Sequence, residues 1–232
     1  LSGIRALLSD LNPKLWLSPF AGRPAYHIVV LGVFYHALGL LLMGAGNRIA
    51  SHVDAGYSPP GIPVSAASTL ASGPIEEVIF FGIPYLVFSN PYVLLAAGSV
   101  WSFLHLFNAS VDLSSVSYGA FLFTVPHVFF SIRAWTGGRG WIAIAFHSGW
   151  NLAVLLLACG TGTIPCLAFG EGGGFARDVL LIAVSASVSA LAYLSYKRKQ
   201  RRFYPRRYYF AALSVLVAGA IPLVILDLAS VL

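Results

Sequence analysis

Hydrophobic positions in this chain run in long, nearly unbroken stretches rather than in alternating or one-faced patterns. A membrane-crossing helix needs about 20 largely apolar residues. Runs of that kind extend over Tyr26 to Ala45, Ala66 to Phe88, Tyr92 to Phe107, Val116 to Ile132, Trp141 to Ala158, Val179 to Tyr196 and Tyr208 to Leu228. The pattern predicts an all-α, polytopic bundle of about seven spans. The third and fourth runs are short, so their ends are expected to extend into polar flanks or to tilt less. Residues 1–25 contain Pro13, Trp16, Pro19 and Pro24 and predict an N-terminal segment lying along the membrane interface. An eighth crossing made from this segment is the alternative, and its prolines count against it.

Composition agrees with this reading. The 232 residues are 58% hydrophobic and 9% charged, against about 25% charged in soluble domains. With no linker and no internal repeat, one integral membrane domain over 1–232 is the simplest description. The first residues form an amphipathic stretch rather than a basic region followed by an apolar one, so no signal peptide is expected there.

The basic excess, 14 Lys+Arg against 8 Asp+Glu, requires no nucleic acid. Seven basic residues fall in one stretch, 197–207, from Lys197 to Arg207, which reads as a cytoplasmic loop able to contact anionic lipids. Counting back through seven spans places the N-terminus, with Arg5, Lys14 and Arg23, on the same side, together with the turn holding Arg133 and Arg139. Twelve basic residues are then inside, only Arg48 and Arg177 are outside, and the C-terminus is outside. The Gly/Pro-rich loops 47–65 and 159–177 fall outside as well. Cys159 and Cys166 fit no zinc spacing, and they could bridge if their loop faces an oxidising compartment.

Polar groups inside spans are the informative ones, because each is costly unless paired or wetted. Glu76 and Glu77 follow Gly73-Pro74 in the second run, His105 lies in the third, and His147 and Asn151 lie in the fifth. His147 and Asn151 are four apart and share one helical face. The two glutamates are adjacent and diverge by about 100 degrees, so one can face a cavity while the other turns to a neighbouring helix. Pro74 either starts a helix or kinks a longer one. Carboxylates, imidazoles and an amide in apolar surroundings suggest hydrolysis or proton-coupled transport.

These residues also carry a resemblance. Gly73-Pro-Ile-Glu76-Glu77-Val-Ile-Phe-Phe81-Gly82 resembles the Glu-Glu-x-x-x-Arg motif of the CAAX-prenyl-protease and bacteriocin-processing family, intramembrane proteases related to the Ras-converting enzyme. Trp101-x-x-x-His105 resembles its Phe-x-x-x-His motif, with tryptophan for phenylalanine, and His147-x-x-x-Asn151 matches its His-x-x-x-Asn/Asp motif. Phe123-x-x-x-His127 matches the second motif too, but His105 lies on the span next after the glutamates and is preferred. The likeness covers residues 70 to about 155, and the family-like core is expected at about 66–158.

The resemblance implies a multi-pass peptidase of a prokaryotic plasma membrane that cuts near the end of a membrane-anchored or lipidated, CAAX-type substrate. Glu76 is implied as the general base, helped by His105. His147 and Asn151 are implied as donors to the oxyanion, with Glu77 and Trp101 supporting the site. No cofactor is expected. Were zinc present, its ligands would be Glu76, His105 and His147. Phe81 stands where the family has an arginine that would pair with Glu77. Glu77 must then be protonated, wetted or served from elsewhere, with Arg133 and Arg139 as the nearest basic candidates. That departure also permits an inactive relative acting as scaffold, immunity or partner-binding protein. A small proton-coupled transporter is the other alternative.

Overall fold

The computed structural model describes residues 2–20, 22–51, 64–107, 115–160, 166–167, 171 and 174–199. The run Tyr208 to Leu228 lies outside these residues, as do most of the basic stretch 197–207 and of the two outer loops, and the side chains of Cys159 and Cys166. The other six runs are helices. They are α2 (Ala25–Ser51), the pair α3 (Ala66–Glu77) and α4 (Ile83–Phe88), α5 (Pro91–Leu104), α6 (Ser115–Thr136), α7 (Gly140–Gly160) and α8 (Phe175–Lys199), preceded by α1 (Ser2–Asp10). Among the described residues, three segments are long and apolar enough to cross a membrane: Ala25–Gly46, Ala66–Phe88 and Phe175–Leu194. The faces of α2 and α8 turned away from the bundle expose Val29, Val33, Leu41, Ile182 and Leu194. Those positions suit lipid, which asks only that backbone groups be satisfied within the helix.

Local chemistry explains the element ends. Ser65 caps α3, its hydroxyl accepting from Ser68 N at 3.4 Å. Asn90 caps α5, accepting from Tyr92 N at 2.8 Å just before Pro91. Ser89 takes a left-handed φ of 51°, which makes the sharp turn from α4 into α5. Val64–Ser65 (β1) and Cys166–Leu167 (β2) form a two-residue parallel bridge that joins the loop before α3 to the loop before α8.

Pro74 neither starts a helix nor separates two. It sits inside α3, and the glutamates end that helix instead of beginning it. After them the chain makes one wide turn, Val78–Gly82, in which Ile83 N bonds Val78 O, five residues back. Pro84 has no N–H to return to Phe80 O, which favours the wider bond pattern. The wide turn re-phases the segment, so that Phe81 is fully buried and faces α5.

The centre of the bundle is the pairing of α2 with α6, with α5 and α7 against α6 and with α3 against α7 and α8. Close contact needs small residues. A Cβ on Gly39 would stand 2.8 Å from the Phe123 carbonyl oxygen, and one on Gly98 would stand 2.6 Å from Phe81 Cε1. Gly44, by contrast, has no heavy atom within 4 Å of such a Cβ.

The N-terminal segment packs against the end of the bundle where α6 turns into α7. Arg133 is 1% exposed, and the charge expected in a solvated loop is buried. Its guanidinium donates to Asp10 Oδ1 at 2.8 Å, Asp10 O at 2.7 Å and Ser18 O at 3.0 Å. Arg23 Nε lies 2.8 Å from Asp10 Oδ2. Arg133 is therefore committed to Asp10 and does not replace the missing partner of Glu77.

Candidate active site

Three helices bring Glu76, Glu77, His105, His147 and Asn151 into one region, and a fourth, α6, adds groups that sequence reasoning did not place there. Glu76 and Glu77, at the end of α3, point apart. The Glu76 side chain is 31% exposed and that of Glu77 is 0% exposed, so only the first is open to a substrate. Trp101 of α5 donates its Nε1–H to Glu76 Oε2 at 2.5 Å. The tryptophan that replaces the motif's phenylalanine is thus a direct partner of the accessible carboxylate.

His105 follows one turn later, where α5 tightens into a 3-10 turn. Its Nδ1 donates to Trp101 O at 2.9 Å, its ring lies 4.6 Å from the Trp101 ring, and it stands within electrostatic reach of Glu76 and His147. His147, on α7, is buried between the two acids. Its Nε2 lies 3.7 Å from Glu76 Oε2 and its Nδ1 lies 3.6 Å from Glu77 Oε1. Both separations exceed a direct hydrogen bond and suit a bridging water or a small closing movement. Asn151, one turn along α7, donates to Thr69 O at 3.0 Å and to Ser72 Oγ at 2.8 Å. Both its amide hydrogens are engaged, and they tie α7 to α3.

Among the described residues, the direct hydrogen bonds to the Glu77 side chain come from α6. His127 Nε2 lies 2.5 Å from Glu77 Oε1, Ser131 Oγ donates to Oε1 at 2.8 Å, and Trp135 Nε1 donates to Oε2 at 2.9 Å. These residues are spaced four apart, so one face of α6 presents imidazole, hydroxyl and indole in a row. The spacing is visible in the sequence, where Phe123-x-x-x-His127 resembles the same motif as Trp101-x-x-x-His105. In the structure the two histidines serve different acids. Behind His127 stands His36 of α2, its Nε2 at 3.1 Å from His127 Nδ1. Phe81 packs edge-on to Trp101 at 5.9 Å between ring centres. The residue that costs the site its arginine thereby buttresses the donor to Glu76.

The carboxylate and two imidazoles whose ligand atoms come within 4.8 Å of one another, among the described residues, are Glu77, His127 and His147, not the set Glu76, His105 and His147. Ligand atoms on a tetrahedral zinc stand roughly 3.3 Å apart when each bond is about 2.0–2.1 Å. At 2.5 Å, Glu77 and His127 hydrogen-bond directly, and Glu77 also accepts from Ser131 and Trp135. As arranged, this cluster does not fit a zinc ion.

Residues 58–153 match the family model described as type II CAAX prenyl endopeptidase Rce1-like. No curated protein and no solved structure matches the chain. The matched stretch contains both glutamates, both motif histidines, Asn151 and the α6 row. It agrees with the resemblance read from the three motifs and supports a CAAX-type protease kind of function. Over residues 58–153 the chain is thus similar to the Rce1-like CAAX prenyl endopeptidases, and among the described residues three helical segments are long and apolar enough to cross a membrane.

Proposed function

We propose that the protein is a glutamate-dependent, metal-free intramembrane endopeptidase in which Glu76 activates the attacking water. The observation that carries this reading is the placement of His147 Nε2 3.7 Å from the half-exposed Glu76 carboxylate, with Trp101 holding that carboxylate from the other side. Glu76 takes a proton from water as the oxygen attacks the scissile carbonyl carbon, and the carbonyl oxygen gains the negative charge. His147 donates to that oxyanion. Asn151 joins it once substrate displaces its Ser72 contact. Collapse of the tetrahedral intermediate breaks the C–N bond, and the proton held by Glu76 passes to the leaving amine. His105, beside Glu76, assists that transfer. The hydrogen bonds of Glu77 to His127, Ser131 and Trp135 support a metal-free route, since they hold these groups to one another.

An apolar groove of about 300 Å³ between α5 and α6 is lined by Leu95, Ser99, Phe103, Phe121, Val125 and Phe129. In this reading it receives the lipid chain of the substrate while the peptide reaches Glu76. The proposed orientation puts the N-terminus and the Arg133–Arg139 turn in the cytoplasm. Contact between the N-terminal segment and Arg133 at one end of the bundle supports it.

Phe81 favours a second reading, a relative that keeps the fold without hydrolysis. Purified full-length protein incubated with a quenched lipidated peptide separates the two. Glu76→Gln and His147→Ala are each expected to slow cleavage by about 10²–10⁴-fold. Cleavage that persists in both variants overturns the assignment. A folded wild type that never cleaves favours the second reading. Proton uptake in liposomes that requires substrate and disappears in Glu76→Gln points instead to transport.

A further inference from the structure

His36, His127 and Glu77 form a line of hydrogen bonds whose direction can be settled by counting protons. His36 Nδ1 lies 2.8 Å from Gly32 O, and a carbonyl can only accept, so this nitrogen carries hydrogen. His36 Nε2 then meets His127 Nδ1 at 3.1 Å, and His127 Nε2 meets Glu77 Oε1 at 2.5 Å. Three consecutive hydrogen bonds need three hydrogens. Two neutral imidazoles carry two between them and an ionised carboxylate carries none. The line therefore holds one further proton, and the trio as a whole is uncharged.

The surroundings locate that proton. Glu77 accepts from Ser131 Oγ at 2.8 Å and from Trp135 Nε1 at 2.9 Å, and these two donors, independent of the imidazole, favour its ionised form. A neutral His36 offers Nε2 as an acceptor, which requires hydrogen on His127 Nδ1. We infer that His127 is an imidazolium, donating Nδ1–H to His36 and Nε2–H to Glu77, and that it supplies from α6 the positive charge lost where Phe81 replaces the motif's arginine. Arg133 is bound to Asp10 instead, and the other imidazole beside this acid, His147, has its Nδ1 3.6 Å from Glu77 Oε1, beyond a direct hydrogen bond. His127 touches no reacting atom in the proposed mechanism. It is a positioning residue, keeping Glu77 ionised and fixed beside His147. The inference rests on the peptidase reading for its catalytic consequence alone.

The test is a ¹⁵N spectrum of histidine-labelled full-length protein in lipid nanodiscs. A ring protonated on both nitrogens is expected in the wild type, and it disappears in His127→Gln. In Glu77→Gln that ring should become singly protonated, because an amide N–H can donate to Nε2 without a further proton. Should His127→Gln not fold, His36→Leu assigns the same ring by removing the acceptor of Nδ1 and shifting its signal. A singly protonated His127 in the wild type overturns the inference, as does a doubly protonated one that is unchanged in Glu77→Gln. Glu76→Gln is expected to stop cleavage and leave the imidazolium in place, so failure of the peptidase reading and failure of this inference are separate results.

Discussion

Two of the buried acids, Asp10 and Glu77, are partnered in opposite ways. Asp10, 3% exposed at the end of the bundle, is held by Arg133 and Arg23, with His27 Nε2 at 3.3 Å. Glu77, 0% exposed, is held by an imidazole, a hydroxyl and an indole, with no guanidinium. Arginine keeps its charge at any accessible pH and offers a rigid fork of donors. The Asp10 knot is thus a permanent clamp, which pins the N-terminal segment beneath α6. Histidine can gain and lose a proton, so the groups around Glu77 form a network in which a proton can be stored or moved. Clamp and network lie along the same helix, since Arg133 and Trp135 both belong to α6.

This contrast can be broken at several points. The largest expected effect is on chemistry, the loss of cleavage in Glu76→Gln and His147→Ala. Next comes the clamp. Arg133→Ala leaves Asp10 buried without its main partner and is expected to cost about 3–5 kcal/mol, read as a lowered unfolding midpoint in detergent. The cleavage rate per folded molecule should change little, because Arg133 does not touch the site. An equal loss of both would mean that the clamp and the network are one unit.

Smaller changes sharpen the network side. Trp101→Phe restores the residue type of the motif but removes the donor to Glu76 Oε2. A hydrogen bond to a charged group is worth about 1.5–3 kcal/mol, so cleavage should slow by about 10- to 100-fold with the fold intact. Gly98→Ala would press on Phe81 Cε1 and on Val128 Cγ1, at 2.6 and 2.8 Å from the new Cβ. The expected cost is about 1–3 kcal/mol of stability, with a measurable loss of activity as Phe81 shifts against Trp101. Gly44→Ala is the control on a lipid-facing surface. With nothing within 4 Å of its Cβ, the change should leave activity alone and raise stability by up to about 1 kcal/mol.

How far the site could be read from the chain depended on whether a signal was local. The motif residues Glu76, Trp101, His105, His147 and Asn151 announced themselves by spacing, since polar groups four apart in an apolar run share a helical face. Six of the apolar runs became helices close to their expected ends. The divergence of Glu76 and Glu77 also followed from helix geometry, and one carboxylate does open outward while the other is sealed in. Partnership was another matter. His127, Ser131 and Trp135 repeat every fourth residue, yet their common target lies 50 to 58 positions away in the chain. Arg133 read as a loop charge because Asp10, the residue that buries it, is 123 positions distant.

Apolar run length and polar spacing, both properties of neighbouring residues, determined by themselves that this is a helical protein with segments apolar enough to cross a membrane and with carboxylates and imidazoles set in apolar runs. Only tertiary structure decided which acid each histidine serves, that indoles donate to both glutamates, and that α6 compensates for Phe81. The physical reason is that helix propensity and hydropathy are set along the chain. A buried charge, by contrast, is stabilised by whichever donors the packing of α2, α3, α5, α6 and α7 brings within about 3 Å.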